Sequence, residues 1–296
     1  MILVGPKDEF VEELKNRLNI ELIEIEKKVF PDRELRPRIL NIDKIKYQEV
    51  LFVNRPDRPL DMNKYLMESI LAIKILKSAG AKKIRFICPY LPYARQDKIF
   101  RPGEPLSASW IIKMIKDAGA EKIITVSCHF HPEEGVVDNY GIDMYNVSGF
   151  KAISAYLRNM NLENPVIIGP DEKAGTWAKE IADIVGAEYD SLKKERNRDT
   201  GEIKTIDKLN IETSGRDVVI IDDMAAGGGT LVNALDILGQ KPKRKIAIVV
   251  HPLLLGNCLK KVREKSDLFL ATDTIPSEIS KISVVGEIAK IIEHDI

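Results

Sequence analysis

Eight short apolar runs recur along this chain, at residues 2–4, 50–53, 84–88, 123–127, 166–168, 218–221, 246–250 and 268–271. Their apolar residues are continuous rather than alternating, the pattern of strands buried on both faces, as in a parallel sheet covered by helices. Helical segments fill the gaps. Met62, Leu66, Ile70, Ile73 and Leu76 recur at helical spacing, and Ser107 reads as the cap of a helix carrying Trp110, Ile111, Met114 and Ile115. The alternation of strand and helix makes this an α/β chain of mainly parallel sheets flanked by helices.

At 296 residues the chain is long enough for two domains. Lys77-Ser-Ala-Gly80-Ala-Lys-Lys-Ile84 is echoed by Lys116-Asp-Ala-Gly119-Ala-Glu-Lys-Ile123, each with a glycine ending a helix just before a strand. After Phe150 the pattern restarts with a helix expected over 152–160 and the strand at 166. The expected domains are therefore 1–148 and 149–296, with no linker-like stretch between them.

Lys plus Arg total 45 and Asp plus Glu total 45, so the formal net charge is zero. That balance speaks against a nucleic-acid or acidic-lipid surface, and anionic ligands would need cations gathered locally. Cys88, Cys128 and Cys258 form no CxxC pair, which suits a reducing compartment. The opening Met1-Ile2-Leu3-Val4 gives way to charge well short of a signal peptide, and no apolar run approaches membrane-spanning length. A cytoplasmic protein with no membrane partner is expected. Three glutamines among 30% charged residues lean towards a thermophile.

The strongest local signal runs from Val218 to Thr230. An apolar strand ends in Asp222-Asp223 and passes through Met-Ala-Ala226 to Gly227-Gly228-Gly229-Thr230, before an apolar helix. Backbone N–H groups at such a helix start hold phosphate, and glycines let the backbone approach it. Carboxylates at a strand's carboxyl end accept from sugar hydroxyls in the crevice where open α/β sheets bind ligands. A flexible turn with a solvated acidic cap is the plainer alternative.

This segment resembles the phosphoribosyl pyrophosphate binding signature, shared by type I phosphoribosyltransferases and ribose-phosphate diphosphokinases. Four further segments resemble the diphosphokinases (phosphoribosyl pyrophosphate synthetases) in order and spacing. They are Phe30-Pro-Asp32-Arg33-Glu34, Pro92-Tyr93-Ala94-Arg95-Gln96-Asp97, the His129 segment, and Lys193-Lys194-Glu195-Arg196. The resemblance spans nearly the whole chain and implies two tandem type I phosphoribosyltransferase-like domains. The implied reaction moves the β,γ-diphosphoryl group of ATP to the C1 hydroxyl of ribose 5-phosphate, with Mg²⁺.

The same resemblance implies roles. Phe30, Asp32, Arg33 and Glu34 would meet adenine from a neighbouring subunit in a homo-oligomer, and Arg95, Gln96 and Asp97 would complete the ATP site. His129 and Asp171 would be metal-associated, and Lys194 with Arg196 would do the catalytic work from a polar loop. Asp222, Asp223, Ala226, Gly227, Gly228, Gly229 and Thr230 would bind ribose 5-phosphate.

Three departures accompany these roles. Phe130-His131-Pro132-Glu133-Glu134 replaces the usual residues after the first His. Glu172-Lys173 stands in the Asp171 turn, with Thr176 where a Lys is usual. Ala226 and Gly227 replace an acidic residue and a Thr. Two other functions stay open on sequence grounds: a phosphoribosyltransferase that consumes phosphoribosyl pyrophosphate, and a non-catalytic relative that regulates sister enzymes.

Overall fold

The computed structural model describes residues 1–137, 141–196, 203–206 and 209–294, with only the backbone described at 193–196 and 203–206. Its chain forms two compact units. One comprises Met1–Ser148 with Thr274–Pro276 and Val284–Ile296, the other Gly149–Asp273 with Ser277–Ser283. The C-terminal helix therefore belongs to the first unit, not to the half in which sequence order places it.

The first unit contains β1 (Ile2–Gly5), α1 (Glu9–Leu18), β2 (Glu21–Val29), β3 (Leu35–Ile39), β4 (Glu49–Val53), α2 (Met62–Ser78), β5 (Lys83–Ile87), α3 (Ser107–Ala118), β6 (Lys122–Val126), β7 (Gly135–Val137) and β8 (Asp143–Val147). Its eight strands lie in the order β3-β2-β1-β4-β5-β6-β8-β7. The six inner strands run parallel, while β3 and β7 close the two edges antiparallel. One face packs Ile73 and Leu76 of α2 and Ile112 and Ile115 of α3 against Val4, Phe52, Phe86 and Ile123. The C-terminal helix of the chain packs beside α1.

Local chemistry sets the helix ends. Asp8 caps α1 by accepting from Val11 N–H, and Asp61 caps α2 by accepting from Asn63 and Lys64 N–H. Gly119 ends α3 at φ 125° and Gly80 follows α2 at φ 83°, as the echoed motif implied. Leu106 and not Ser107 occupies the cap position of α3, with no side-chain cap bond. Trp110 (59% exposed) and Met114 (44%) lie on the outer face of that helix, because Ala108, Ile112, Ile115 and Ala118 form the buried stripe.

The second unit holds α4 (Gly149–Arg158), β9 (Val166–Gly169), α5 (Glu172–Val185), β10 (Glu188–Ser191), β11 (Lys193–Arg196), β12 (Ile203–Ile206), β13 (Asp217–Met224), α6 (Gly229–Leu238), β14 (Arg244–His251), α7 (Cys258–Arg263), β15 (Leu268–Thr272) and β16 (Ser280–Ile282); α8 (Val285–His294) follows. Its six-stranded sheet, β10-β9-β13-β14-β15-β16, is parallel throughout. Below it, Arg244 grips the buried Asp217 carboxylate, with Nε 2.8 Å from Oδ1 and Nη2 on Oδ2. No helix among the described residues is long and apolar enough to cross a membrane.

Candidate active site

In the second sheet the chain order reverses between β9 and β13, since β10 lies on one side of β9 and β13 on the other. At such a switch point the loops leaving the carboxyl ends diverge and open a crevice. Asp171 follows β9, and Asp222-Asp223 end β13. Asp171 caps α5 with Oδ1 3.0 Å from Ala174 N, and Asp222 Oδ1 accepts from Asp223 N at 2.8 Å.

The turn before α5 is tight because Gly169 lets the helix start approach the strand end. A Cβ there would meet Gly175 N at 2.4 Å. Burial first, then the charge of Asp223, then that of Asp171 push the Asp222 carboxyl well above the usual carboxylate range. Asp222 thus lies in the field of two further carboxylates, where positive charge and hydroxyl donors are favoured.

The loop after β13 reaches the start of α6. Gly228 caps that helix at φ 78° with no side-chain cap bond. Among the described residues, the N–H groups of Gly227, Gly228, Gly229 and Thr230 have no intramolecular acceptor, so they remain available to an anion. Leu254 and Leu255 N–H donate to the carbonyls of Ala225 and Ala226 and brace the loop from behind. Only Gly228 needs to be glycine for the fold: a Cβ there would lie 2.9 Å from Cys258 Sγ, whereas one at Gly227 or Gly229 would meet nothing within 4 Å. Lys173, the basic residue of the Asp171 turn, lies 5.5 Å above the Trp177 ring.

The nucleotide-side candidates all lie in the first unit. Phe30–Glu34 is the turn of the β2–β3 hairpin, closed by Phe30 N to Glu34 O at 2.8 Å and by Asp32 Oδ1 accepting from Glu34 N at 3.0 Å. The Phe30 ring is flanked by Lys28 and Arg36, each 5.7 Å from its centroid. Arg33 and Glu34 border a groove of about 490 Å³ whose other wall is Asp61, Asn63, Lys64 and Met67 of the α2 start. Asn63 Oδ1 in turn accepts from the Tyr93 hydroxyl, linking this wall to the segment of Arg95, Gln96 and Asp97.

Arg95 is exposed, while Gln96 and Asp97 are half-buried. Glu104 shapes the loop beyond them: its Oε2 accepts from Phe100 N at 3.2 Å, Arg101 N at 3.1 Å and Gln96 Nε2 at 3.4 Å. The neighbouring strand, β6, leads to half-buried His129. Asn146 ties that turn down, accepting from Cys128 N at 2.8 Å and donating to the His131 and Glu133 carbonyls at 2.8 and 2.7 Å. Sequence reasoning passed over Glu104 and Asn146. An Asn inside a strand is a signal of a side-chain partner, since strands are depleted in it.

Lys194 and Arg196 were expected in a loop. Their backbone instead forms β11 and pairs antiparallel with β12, Lys194 opposite Thr205 and Arg196 opposite Ile203; their side chains, and residues 197–202, lie outside the described residues. No three His, Cys, Asp or Glu side chains among the described residues converge into a ready metal cluster.

Comparison with known proteins gives this geometry a lineage. Residues 1–119 match the N-terminal domain of ribose phosphate pyrophosphokinase, and residues 148–286 match the phosphoribosyl transferase domain. A ribose-phosphate pyrophosphokinase of Saccharolobus solfataricus is 34% identical over 279 residues, covering 93% of each chain. That of Pyrococcus abyssi is 31% identical over 296 residues, covering 100% of this chain and 99% of the relative. The crystal structure of phosphoribosylpyrophosphate synthetase from Mycobacterium smegmatis shares the fold, with a TM-score of 0.81 at 23% identity over 99% of this chain and 98% of the other. With both halves matched and relatives this similar along nearly their whole length, the chain belongs to the ribose-phosphate pyrophosphokinase family.

Proposed function

We propose that this protein makes 5-phosphoribosyl 1-pyrophosphate and AMP from ribose 5-phosphate and ATP. The observation that supports the reading best is the Asp222-Asp223 pair, in the field of Asp171, at a switch point beside a loop whose N–H groups are open. In this reading Asp222 and Asp223 accept from the ribose hydroxyls. The N–H groups of Gly227 to Thr230, helped by the positive end of α6, hold the 5-phosphate. The C1 hydroxyl oxygen attacks the β-phosphorus and releases its proton to water, the bond from that phosphorus to the oxygen shared with the α-phosphorus breaks, and AMP leaves with that oxygen.

On the nucleotide side, Phe30 offers a ring face to adenine, Asp32 and Glu34 can accept from its amine, and Arg33 lies in the same turn. Arg95, Gln96 and Asp97 line the approach of the triphosphate, and Lys194 with Arg196 place positive charge on the transferring group. The adenine segment comes from a neighbouring subunit, so the active form is a homo-oligomer, and we place it in the cytoplasm.

The residues also fit Mg²⁺. In the second unit Asp171 provides the hard carboxylate oxygen that this ion prefers, and the raised proton affinity of Asp222 marks a spot where a cation is welcome; in the first unit, separately, His129 suits an outer position on such an ion through water. When bound, the ion neutralises phosphate charge.

Purified protein given ATP, Mg²⁺ and ribose 5-phosphate should release AMP in step with phosphoribosyl pyrophosphate. Release of ADP, or pyrophosphate release that requires an added base, rejects the reading.

A further inference from the structure

Leu254 stands at φ 54°, a left-handed backbone that a bulky side chain adopts only when its surroundings impose it. Strain of this kind is held where the geometry is used. The Leu254 side chain packs on the second unit's core, and the turn around it is tied at both ends. Leu253 N–H donates to His251 O at 3.0 Å, and Cys258 N–H at the start of α7 donates to Leu255 O at 3.2 Å. Held in that shape, the turn sends two successive N–H groups to one neighbour: Leu254 N–H to Ala225 O at 2.8 Å and Leu255 N–H to Ala226 O at 2.9 Å.

Those carbonyls belong to the loop between β13 and α6. The peptide joining Ala226 to Gly227 is trans, and in a planar trans peptide the C=O and the N–H point in opposite directions. With its carbonyl turned towards Leu255, this peptide has the Gly227 N–H turned away from the brace. Gly228 is stopped as well: Cys258 Sγ and Val262 Cγ2 lie 2.9 and 3.3 Å from where its Cβ would stand. Gly227, Gly229 and Thr230 are exposed. Neither Ala226 nor Gly227 has a polar side chain, so whatever the loop holds at these positions it holds by the direction of its backbone.

We propose that Leu254 and Leu255 are positioning residues for the sugar-phosphate loop: Leu254 sets the conformation of the turn, and Leu255 N–H aims the Gly227 N–H at the sugar's 5-phosphate. The bond on the Ala226 carbonyl also polarises that peptide, which makes its N–H a better donor. The proposal rests on the functional reading above, in which the N–H groups of Gly227 to Thr230 take the 5-phosphate.

The test sets backbone shape against packing. Leu254→Gly and Leu254→Asn remove the apolar side chain and accept a left-handed backbone, whereas Leu254→Val keeps an apolar side chain and, being β-branched, resists that backbone. The full-length proteins are compared well below their unfolding temperatures, by steady-state kinetics and by calorimetry with ribose 5-phosphate alone. For Leu254→Val, KM and Kd for ribose 5-phosphate should rise about tenfold, the scale of one lost hydrogen bond, while KM for MgATP stays within about twofold. The other two variants should stay within about threefold of wild type. An amide-to-ester replacement at Leu255, which removes the N–H and leaves every side chain in place, should repeat the effect of Leu254→Val.

A purely packing role for Leu254 gives the opposite order, with Leu254→Gly and Leu254→Asn worse than Leu254→Val, and that order overturns the proposal. An ester variant whose KM and Kd for ribose 5-phosphate match wild type overturns it too. Wild-type protein that binds ribose 5-phosphate but releases no AMP sinks the functional reading alone, because the series of Kd values still decides the positioning.

Discussion

A Cβ built on Gly169 would fall 2.4 Å from the backbone nitrogen of Gly175, closer than a carbon can come. Strand β9 and the first turn of α5 touch backbone to backbone there, and that contact sets where Asp171 caps the helix. Gly175 is itself hemmed in, since a Cβ on it would lie 2.8 Å from Ser191 Cβ.

Gly169→Ala should therefore cost about 3 kcal/mol or more, because backbone on both sides must shift. Urea unfolding checks this: a midpoint equal to wild type would show that the turn has slack. Residual activity should fall further than stability alone explains, as Asp171 moves with the turn.

Gly227 and Gly228 should behave oppositely although they are adjacent. Gly228→Ala forces φ 78° on an alanine and drives its methyl into Cys258 Sγ, for about 1–3 kcal/mol of lost stability. Gly227→Ala meets open space and should unfold like wild type. Its KM for ribose 5-phosphate should rise severalfold as the methyl enters the phosphate's approach, and an unchanged KM would separate Gly227 from the ligand.

Asp217 provides a pH signature. Hydrogen bonds from Arg244 hold its carboxyl below the usual value, outweighing the opposing effect of burial. A depressed folded pKa gives stability that is present above the unfolded value of about 4 and is lost as pH falls through the folded one. Wild-type urea midpoints should drop through that acidic window, and Asp217→Asn should drop less while being about 1–3 kcal/mol weaker near neutrality. Parallel curves for the two proteins would assign the acid sensitivity elsewhere.

Lys194→Ala should lower kcat by about 10²–10³-fold, the scale of removing one donor aimed at transition-state charge, with KM for ATP little changed. Rapid-quench measurement of AMP formation reads this directly. Turnover within a few-fold of wild type would remove Lys194 from the mechanism.

Local signals carried far in this chain. All eight apolar runs are strands of parallel ladders, because a strand covered on both faces must be apolar along its whole length. The glycines of the echoed motif sit at helix ends with positive φ, and the carboxylates of the 218–230 segment stand at the end of a strand as their order implied. What escaped was amphipathic or short. β2 alternates apolar Ile23 and Ile25 with Glu24 and Glu26 and so is buried on one side only, β7 has three residues, and Trp110 and Met114 lie on the outer side of α3.

Composition and spacing alone thus determined the α/β class, the two repeats of strand and helix, and the glycine loop with its paired acids, since each is written in neighbouring residues. Only the tertiary structure decided that α8 returns to the first unit, that Asp171 raises the proton affinity of Asp222, and that Asn146 fastens the turn of His129. These relationships join residues about 20 to 280 positions apart. Backbone pairing and the exclusion of water set them, and no local run of side chains encodes either.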